Sequence, residues 1–376
     1  MKVLHLISGG DGGGAKTHVI TLLKRLIKEG INVELLCIME GIFTEEAKEA
    51  NIPIKIIHQN KRYSLKPIFN IKKHILNGDY DIVHCHGARA NYIALFIKNS
   101  FNIPFITTLH SDYKLDFKDS IYKQTIFMPI NAIALRKFDY ILAVTKAFKN
   151  MLIERGFNEK KLKVIYNGID MQKNINILDK KEFLKSYNIP FYEDYIYVGI
   201  AARLQQVKGL KDFLEATKIL LKDNKNIMFL IAGSGSLEDN IKAYIKDNNL
   251  QNNVKMLGFV NNIDSFYNSI DINVLTSYSE SFPYALLEGA RLKKATIATC
   301  VGGIPEMIQD NKTGLLIEPH NSKDIAKKIN ILLKDKNLMS SFGESFYKYA
   351  YDHFSDEKMA KTHIDIYKNI LKETKK

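Results

Sequence analysis

Lys2-Val3-Leu4-His5-Leu6-Ile7-Ser8-Gly9-Gly10-Asp11-Gly12-Gly13-Gly14 reads as a short apolar strand that ends in a run of glycines and passes directly into a helical pattern over 15–29. A strand that feeds a helix through a glycine turn is the first half of a strand–helix–strand crossover, and the alternation continues along the chain. Further strands are expected at 32–38, 53–58, 82–86, 104–109, 140–144 and 162–166, separated by amphipathic stretches such as 66–76, 89–99 and 119–137. The pattern lapses into a Lys- and Asn-rich segment after Asn167 and resumes with strands near 196–202, 227–232, 254–258, 272–276, 295–300 and 314–317. This is an α/β protein of two doubly wound, Rossmann-like domains, 1–180 and 181–354. A last helix within 355–376 is expected to leave the second domain and pack elsewhere. At 376 residues the chain exceeds the usual size of one core, which agrees with two. Ligands of such sheets bind beyond the carboxyl ends of the strands, so a cleft between the two is the expected site.

Composition narrows the class. An apolar content of 46% and a charged content of 25% are those of a soluble globular protein. The first residues are too short an apolar run for a signal peptide, and no stretch reaches the ~18 apolar residues of a membrane span, so a cytoplasmic protein is expected. Cys37, Cys85 and Cys300 all fall in expected strands without metal-ligand spacing, and are read as buried, reduced thiols. The net charge of +13 is uneven: residues 1–180 hold 27 Lys and Arg against 17 Asp and Glu. A basic half-molecule attracts anionic lipid headgroups, nucleic acid or a phosphorylated substrate. No nucleic-acid motif with interleaved aromatics accompanies the charge, so nucleic acid is not an expected partner.

Three segments carry the chemistry. Arg203 and Lys208 flank the start of a helix right after the strand ending at Ala202; an Arg grips phosphate oxygens bidentately and a Lys adds a compact charge. Glu280-Ser281-Phe282-Pro283-Tyr284-Ala285-Leu286-Leu287-Glu288 follows the strand at 272–276, with Pro283 suited to the first position of a helix. It can offer one carboxylate (Glu280) to sugar hydroxyls, the N–H groups around Phe282 and Tyr284 to an anion, and a second carboxylate (Glu288) to a ribose diol. Glu288 sits among apolar neighbours, where an unpaired carboxylate is costly, so a partner is expected. Gly302-Gly303-Ile304-Pro305-Glu306 is a glycine turn after another strand, and the Gly12, Gly13 and Gly14 turn opens a helix whose N-terminus faces an anion. His84 and His86 share one face of a strand with Cys85 opposite; a metal would need a third ligand that the neighbouring sequence does not supply. His110 ends the next strand as a candidate substrate contact.

Taken in order, these residues resemble the retaining glycosyltransferases of family 4, over nearly the whole chain. The matching features are the Gly12–Gly14 loop, His110, Ala202-Arg203 with Lys208-Gly209, the Glu280…Glu288 pair, the Gly302-Gly303 turn and Asn311-Lys312-Thr313-Gly314. The resemblance implies the two-domain B-type glycosyltransferase fold with the final helix crossing back to the first domain. It implies that Arg203 and Lys208 hold the donor diphosphate, Glu288 the ribose, Glu280 and His110 the donor sugar, and the Gly12–Gly14 loop the diphosphate or acceptor. It implies a retaining, metal-independent reaction. No cofactor is expected beyond a nucleotide-diphosphate sugar as co-substrate, with UDP ahead of GDP, and a glycan or lipid-linked acceptor at the inner face of a membrane. Rival readings are a nucleotide-sugar epimerase or phosphorylase, for which no cofactor lysine stands out, and a non-catalytic basic binding protein, which would leave the clustered motifs unexplained.

Overall fold

The computed structural model describes residues 1–10, 13–58, 66–114, 121–173 and 176–374. Gly12 lies outside them. The chain divides into two compact units, Met1–Asp170 with Ser355–Lys376, and Met171–Phe354.

Unit one is a seven-stranded parallel sheet in the order β3-β2-β1-β4-β5-β6-β7. Its strands are β1 (Lys2–Ile7), β2 (Asn32–Cys37), β3 (Ile54–Ile56), β4 (Ile82–His86), β5 (Phe105–Leu109), β6 (Tyr140–Ala143) and β7 (Leu162–Val164). Its helices are α1 (Gly14–Lys28), α2 (Ile42–Glu49), α3 (Lys66–Leu76), α4 (Gly87–Ile97), α5 (Ile121–Lys137), α6 (Lys146–Glu154) and α15 (Asp356–Thr374). Every residue of β4 and β5 is buried, as expected of parallel strands covered on both faces. The order reverses between β1 and β4, and right-handed crossovers therefore put α1 and α2 on one face and α3 to α6 on the other. Helix α15 lies against α1. It buries Met359, Ile364, Tyr367 and Ile370 in the same cluster as Val3, Ile7, Val19 and Leu22, each burial contributing on the order of 2 kcal/mol.

Unit two is a six-stranded parallel sheet in the order β10-β9-β8-β11-β12-β13. The strands are β8 (Ile196–Ala201), β9 (Ile227–Ala232), β10 (Val254–Gly258), β11 (Ile272–Leu275), β12 (Ala295–Thr299) and β13 (Leu315–Ile317). The helices are α7 (Lys180–Ser186), α8 (Leu210–Leu220), α9 (Glu238–Asp247), α10 (Ile263–Ser269), α11 (Tyr284–Arg291), α12 (Ile304–Met307), α13 (Ser322–Lys334) and α14 (Lys336–Phe354). Its order reverses between β8 and β11.

Two expectations change. The division falls at Asp170 rather than 180, because residues after it are already tied to unit two: the Leu178 amide donates to Ser265 Oγ at 2.9 Å, and Asn268 donates to the Leu178 carbonyl at 3.0 Å. Cys300 lies one residue past β12 and is exposed, whereas Cys37 and Cys85 are buried in β2 and β4 as read. The chain leaves unit one beside the point where it returns: Ile169 bridges Ser355, and the Asp356 amide donates to the Ile169 carbonyl at 2.9 Å.

Candidate functional site

In unit two the singled-out residues converge on the carboxyl ends of β8, β11 and β12, around the reversal point. Arg203 follows β8 and is exposed. Lys208 Nζ lies 2.5 Å from Glu280 Oε1, and Ser277 Oγ donates to the same oxygen at 2.6 Å, so the phosphate cation and the sugar carboxylate assigned separately from sequence are in direct contact. This pair is mostly shielded, with side chains 15% and 9% exposed. The loops beneath it are laced together. Thr276 Oγ1 donates to the carbonyls of Lys208 and Gly209, and Thr299 Oγ1 donates to the Ser277 carbonyl at 2.6 Å. Two glycines are required here. A Cβ on Gly209, at φ +63°, would stand 2.0 Å from the Thr276 carbonyl oxygen, and one on Gly302, at φ +54°, would stand 1.7 Å from that of Glu280. Gly302 thereby brings the turn after β12 against the Glu280 backbone, and Gly303 caps α12.

Helix α11 begins one residue later than expected. Pro283 is its cap, at φ −73° and ψ 123°, and Tyr284 its first residue. The Phe282 side chain is buried and edge-on to Phe354 at 5.1 Å, so it anchors the loop and leaves only its backbone for a ligand. Glu288 keeps part of its surface open, yet burial pushes its carboxyl up to about 7, against the pull of Arg291. The buried hydroxyls of Tyr267 and Tyr284 lie near it; Tyr267 bonds to its carboxylate, and the Tyr284 hydroxyl has no hydrogen-bond partner among the described residues. The apolar neighbours of Glu288 were legible in sequence, and Tyr284 was singled out there for its backbone N–H; Tyr267 was not legible. Neither was the turn after β9, where a Cβ on Gly235 would meet the Leu204 carbonyl oxygen at 2.5 Å and the Leu204 amide donates to Ser234.

In unit one Gly13 caps α1 and Gly14 begins it, with open space where a Gly13 side chain would be. His110 lies just past β5, and five more histidines gather beside it. His5 on β1 is paired in register with His84 on β4; with His86 two residues on, they share one face of the sheet. Helix α1 adds His18 and α15 adds His363. His5 Nδ1 lies 3.0 Å from His86 Nε2, and His86 Nδ1 lies 3.2 Å from His110 Nε2. His84 is bound through Nδ1 to the Tyr367 hydroxyl and through Nε2 to Thr108 Oγ1, both at 2.7 Å. His18 Nδ1 meets Asn167 Oδ1 at 2.9 Å. Burial keeps all six neutral: His5 and His110 are pulled down to about 3, His363 to about 4, and the other three well below the usual range. The expectation that His84 and His86 lack a third neighbour is overturned. His5 joins them in one potential ligand set, and His18 with His110 joins His86 in another. The third member of the first set was missed because His5 lies 79 positions before His84, adjacent only through sheet order.

A recess of about 500 Å³ in unit one, lined by Asp139, Tyr140 and Lys161 among others, opens at the amino ends of the strands, away from these residues.

Two family models cover most of the chain: "Glycosyltransferase Family 4" matches residues 12–173 and "Glycosyl transferases group 1" matches residues 181–349. An uncharacterized glycosyltransferase of Methanocaldococcus jannaschii is 30% identical over 89% of this chain and 88% of its own. The O-antigen biosynthesis glycosyltransferase WclY of Escherichia coli is 23% identical over 99% of both chains. Among solved structures, Anabaena HepE in complex with UDP superposes with a TM-score of 0.84 at 19% identity, over 98% of this chain and all of that one.

Proposed function

The chain belongs to the glycosyltransferases of the family 4 kind, and from that premise we propose that it moves a sugar from a nucleotide-diphosphate donor to an acceptor hydroxyl with retention of configuration. The observation that carries this reading is the Lys208–Glu280 pair at the strand-order reversal of unit two, with Lys208 on the loop after β8 that also carries Arg203. The two cations stabilise the diphosphate as it departs, Glu280 accepts from hydroxyls of the sugar, Glu288 accepts from the ribose diol, and His110 serves the sugar. The anomeric C–O bond to phosphate breaks with its electron pair going to the diphosphate. The acceptor oxygen bonds the anomeric carbon from the same face, and its proton passes to the departing phosphate oxygen. The donor charge is assigned to Arg203, Lys208 and helix N–H groups rather than to a divalent ion. The sugar is a hexosyl or N-acetylhexosaminyl unit passed to a surface polysaccharide or glycolipid; UDP as the carrier has the support of the HepE complex, and a polysaccharide product has that of WclY, named for O-antigen biosynthesis.

Replacing Arg203 or Lys208 with Ala should lower turnover about a hundredfold or more, since one well-aimed donor is worth roughly 3 kcal/mol of barrier. Activity should persist in EDTA. Near-normal turnover in both folded variants would remove the phosphate assignment, and loss of wild-type activity in EDTA with recovery on adding a divalent ion would remove the metal-independent mechanism.

A peripheral position at an anionic bilayer has one specific support. Helices α3, α4 and α5 lie side by side on one face of the first sheet and contain seven Lys and Arg with no Asp or Glu. They also expose Phe69, Leu76, Phe96 and Ile133, each more than half open to solvent. Apolar side chains among cations fit a headgroup layer. No described helix is long and apolar enough to cross a membrane.

A further inference from the structure

His110 is the outer end of a row of three imidazoles. His86 uses Nδ1 toward His110 and Nε2 toward His5, and the row stops at His5 Nε2, which is buried with no partner among the described residues. His84, whose ring is 4.9 Å from that of His5, cannot take up this nitrogen, because both of its own are engaged by Tyr367 and Thr108. A neutral imidazole has one N–H and one lone pair, so a row of neutral rings runs in one sense throughout. In one sense His110 donates inward and the last proton sits on His5 Nε2, a buried N–H with no acceptor. In the other, His5 Nδ1–H donates to His86, His86 Nδ1–H donates to His110 Nε2, and only a lone pair is left unmatched. An orphaned buried N–H is the rarer and costlier defect, so the second sense prevails.

We propose that His5 and His86 are positioning residues that hold His110 in the tautomer protonated on Nδ1, so that it meets the donor sugar as a hydrogen-bond donor. The proposal rests on the assignment of His110 to the sugar. Burial supports it by keeping the three rings neutral. The backbone beyond His110 is held as well: Asp112 is clamped by Arg155 through two bonds of 2.6 and 2.8 Å. Ring and main chain are thus fixed independently. Which ring nitrogen carries the proton is set by what the other one bonds, and here that choice is made two side chains away.

Two measurements test the row on the intact protein. Two-bond ¹H–¹⁵N correlation spectra of ¹⁵N-histidine-labelled protein report the tautomer of each ring, with His110 identified through a His110→Gln variant among the ten histidines. The wild type should show His110 as Nδ1–H, and His86→Leu should mix or reverse it. Kinetically, His86→Leu should lower kcat roughly tenfold to a hundredfold with little change in donor KM. His86→Asn keeps an amide N–H at the Nδ1 position and should recover most of that loss, which a merely structural role would not produce. A His110 protonated on Nε2 in the wild type, equal kinetic losses in the Leu and Asn variants, or an equivalent of tightly bound transition metal on these nitrogens would each overturn the row. If the tautomer behaves as stated but His110→Gln retains full donor turnover, the row stands and the assignment of His110 to the sugar falls. The spectra and the turnover therefore fail separately.

Discussion

Glu288 shows how a single side chain can make binding depend on pH. Its carboxyl is raised from the usual carboxylate range to about 7, mainly by burial. A raised folded-state value means that the folded protein holds the proton more tightly than the unfolded chain. Its contribution to stability is therefore full below the unfolded value and is lost as pH rises through about 7. A ribose diol donates to carboxylate oxygens and so favours the ionised form. Binding of a nucleoside diphosphate should then expel a proton near about pH 6.5, stop doing so by about pH 8.5, and tighten over that interval. Calorimetry in two buffers of different ionisation enthalpy measures the release. The diphosphate titrates in this range too, so the decisive quantity is the difference between wild type and Glu288→Gln. If both release the same fraction of a proton, Glu288 does not serve the ribose.

Helices α3, α4 and α5 bury Ile68, Ile71 and Ile75, then Ile93, Ala94 and Ile97, then Ala134 and Leu135 toward the sheet, which leaves Phe69, Leu76, Phe96 and Ile133 outward. If this layer meets headgroups, the protein should sediment with vesicles containing phosphatidylglycerol at about 50 mM salt and be released at about 300 mM, because contacts between cations and lipid fade beyond a Debye length. A Phe69→Ser, Phe96→Ser double variant should lose most of the attachment while keeping turnover on a soluble acceptor. Equal binding by the variant would place the contact elsewhere. The elements themselves were largely legible: β4, β9 and β10 have the expected limits, and the other strands differ by a residue or two at their ends. Continuous apolar runs give away buried parallel strands, and glycine turns mark where each one stops. What adjacency creates was not legible. His5 was one polar residue in an apolar strand, and nothing local says that β4 lies beside β1 rather than beside β3. Phe282 and Pro283 were placed in the right loop, but the inward turn of Phe282 depends on Phe354, 72 residues away.

At the scale of the molecule, unit two is an insertion between two parts of unit one, and α15 closes the first core from the far end of the chain. Cutting the chain after Phe354 should expose Val19, Leu22 and the histidine row. The truncated protein should lose the hydrogen-exchange protection of β1 and β4 while β8 and β11 keep theirs. Protection of β1 equal to that of the full chain would show that α15 is dispensable. The bridge between Ile169 and Ser355 also sets an order of events during synthesis. A ribosome delivers residues 1–170 before any of the second sheet, yet their last covering helix emerges only after the whole of unit two. The half made first is completed last. Until then its histidine-lined face is open to solvent and to chaperones, and a premature stop before α15 would cost the cell the half of the enzyme that it began with.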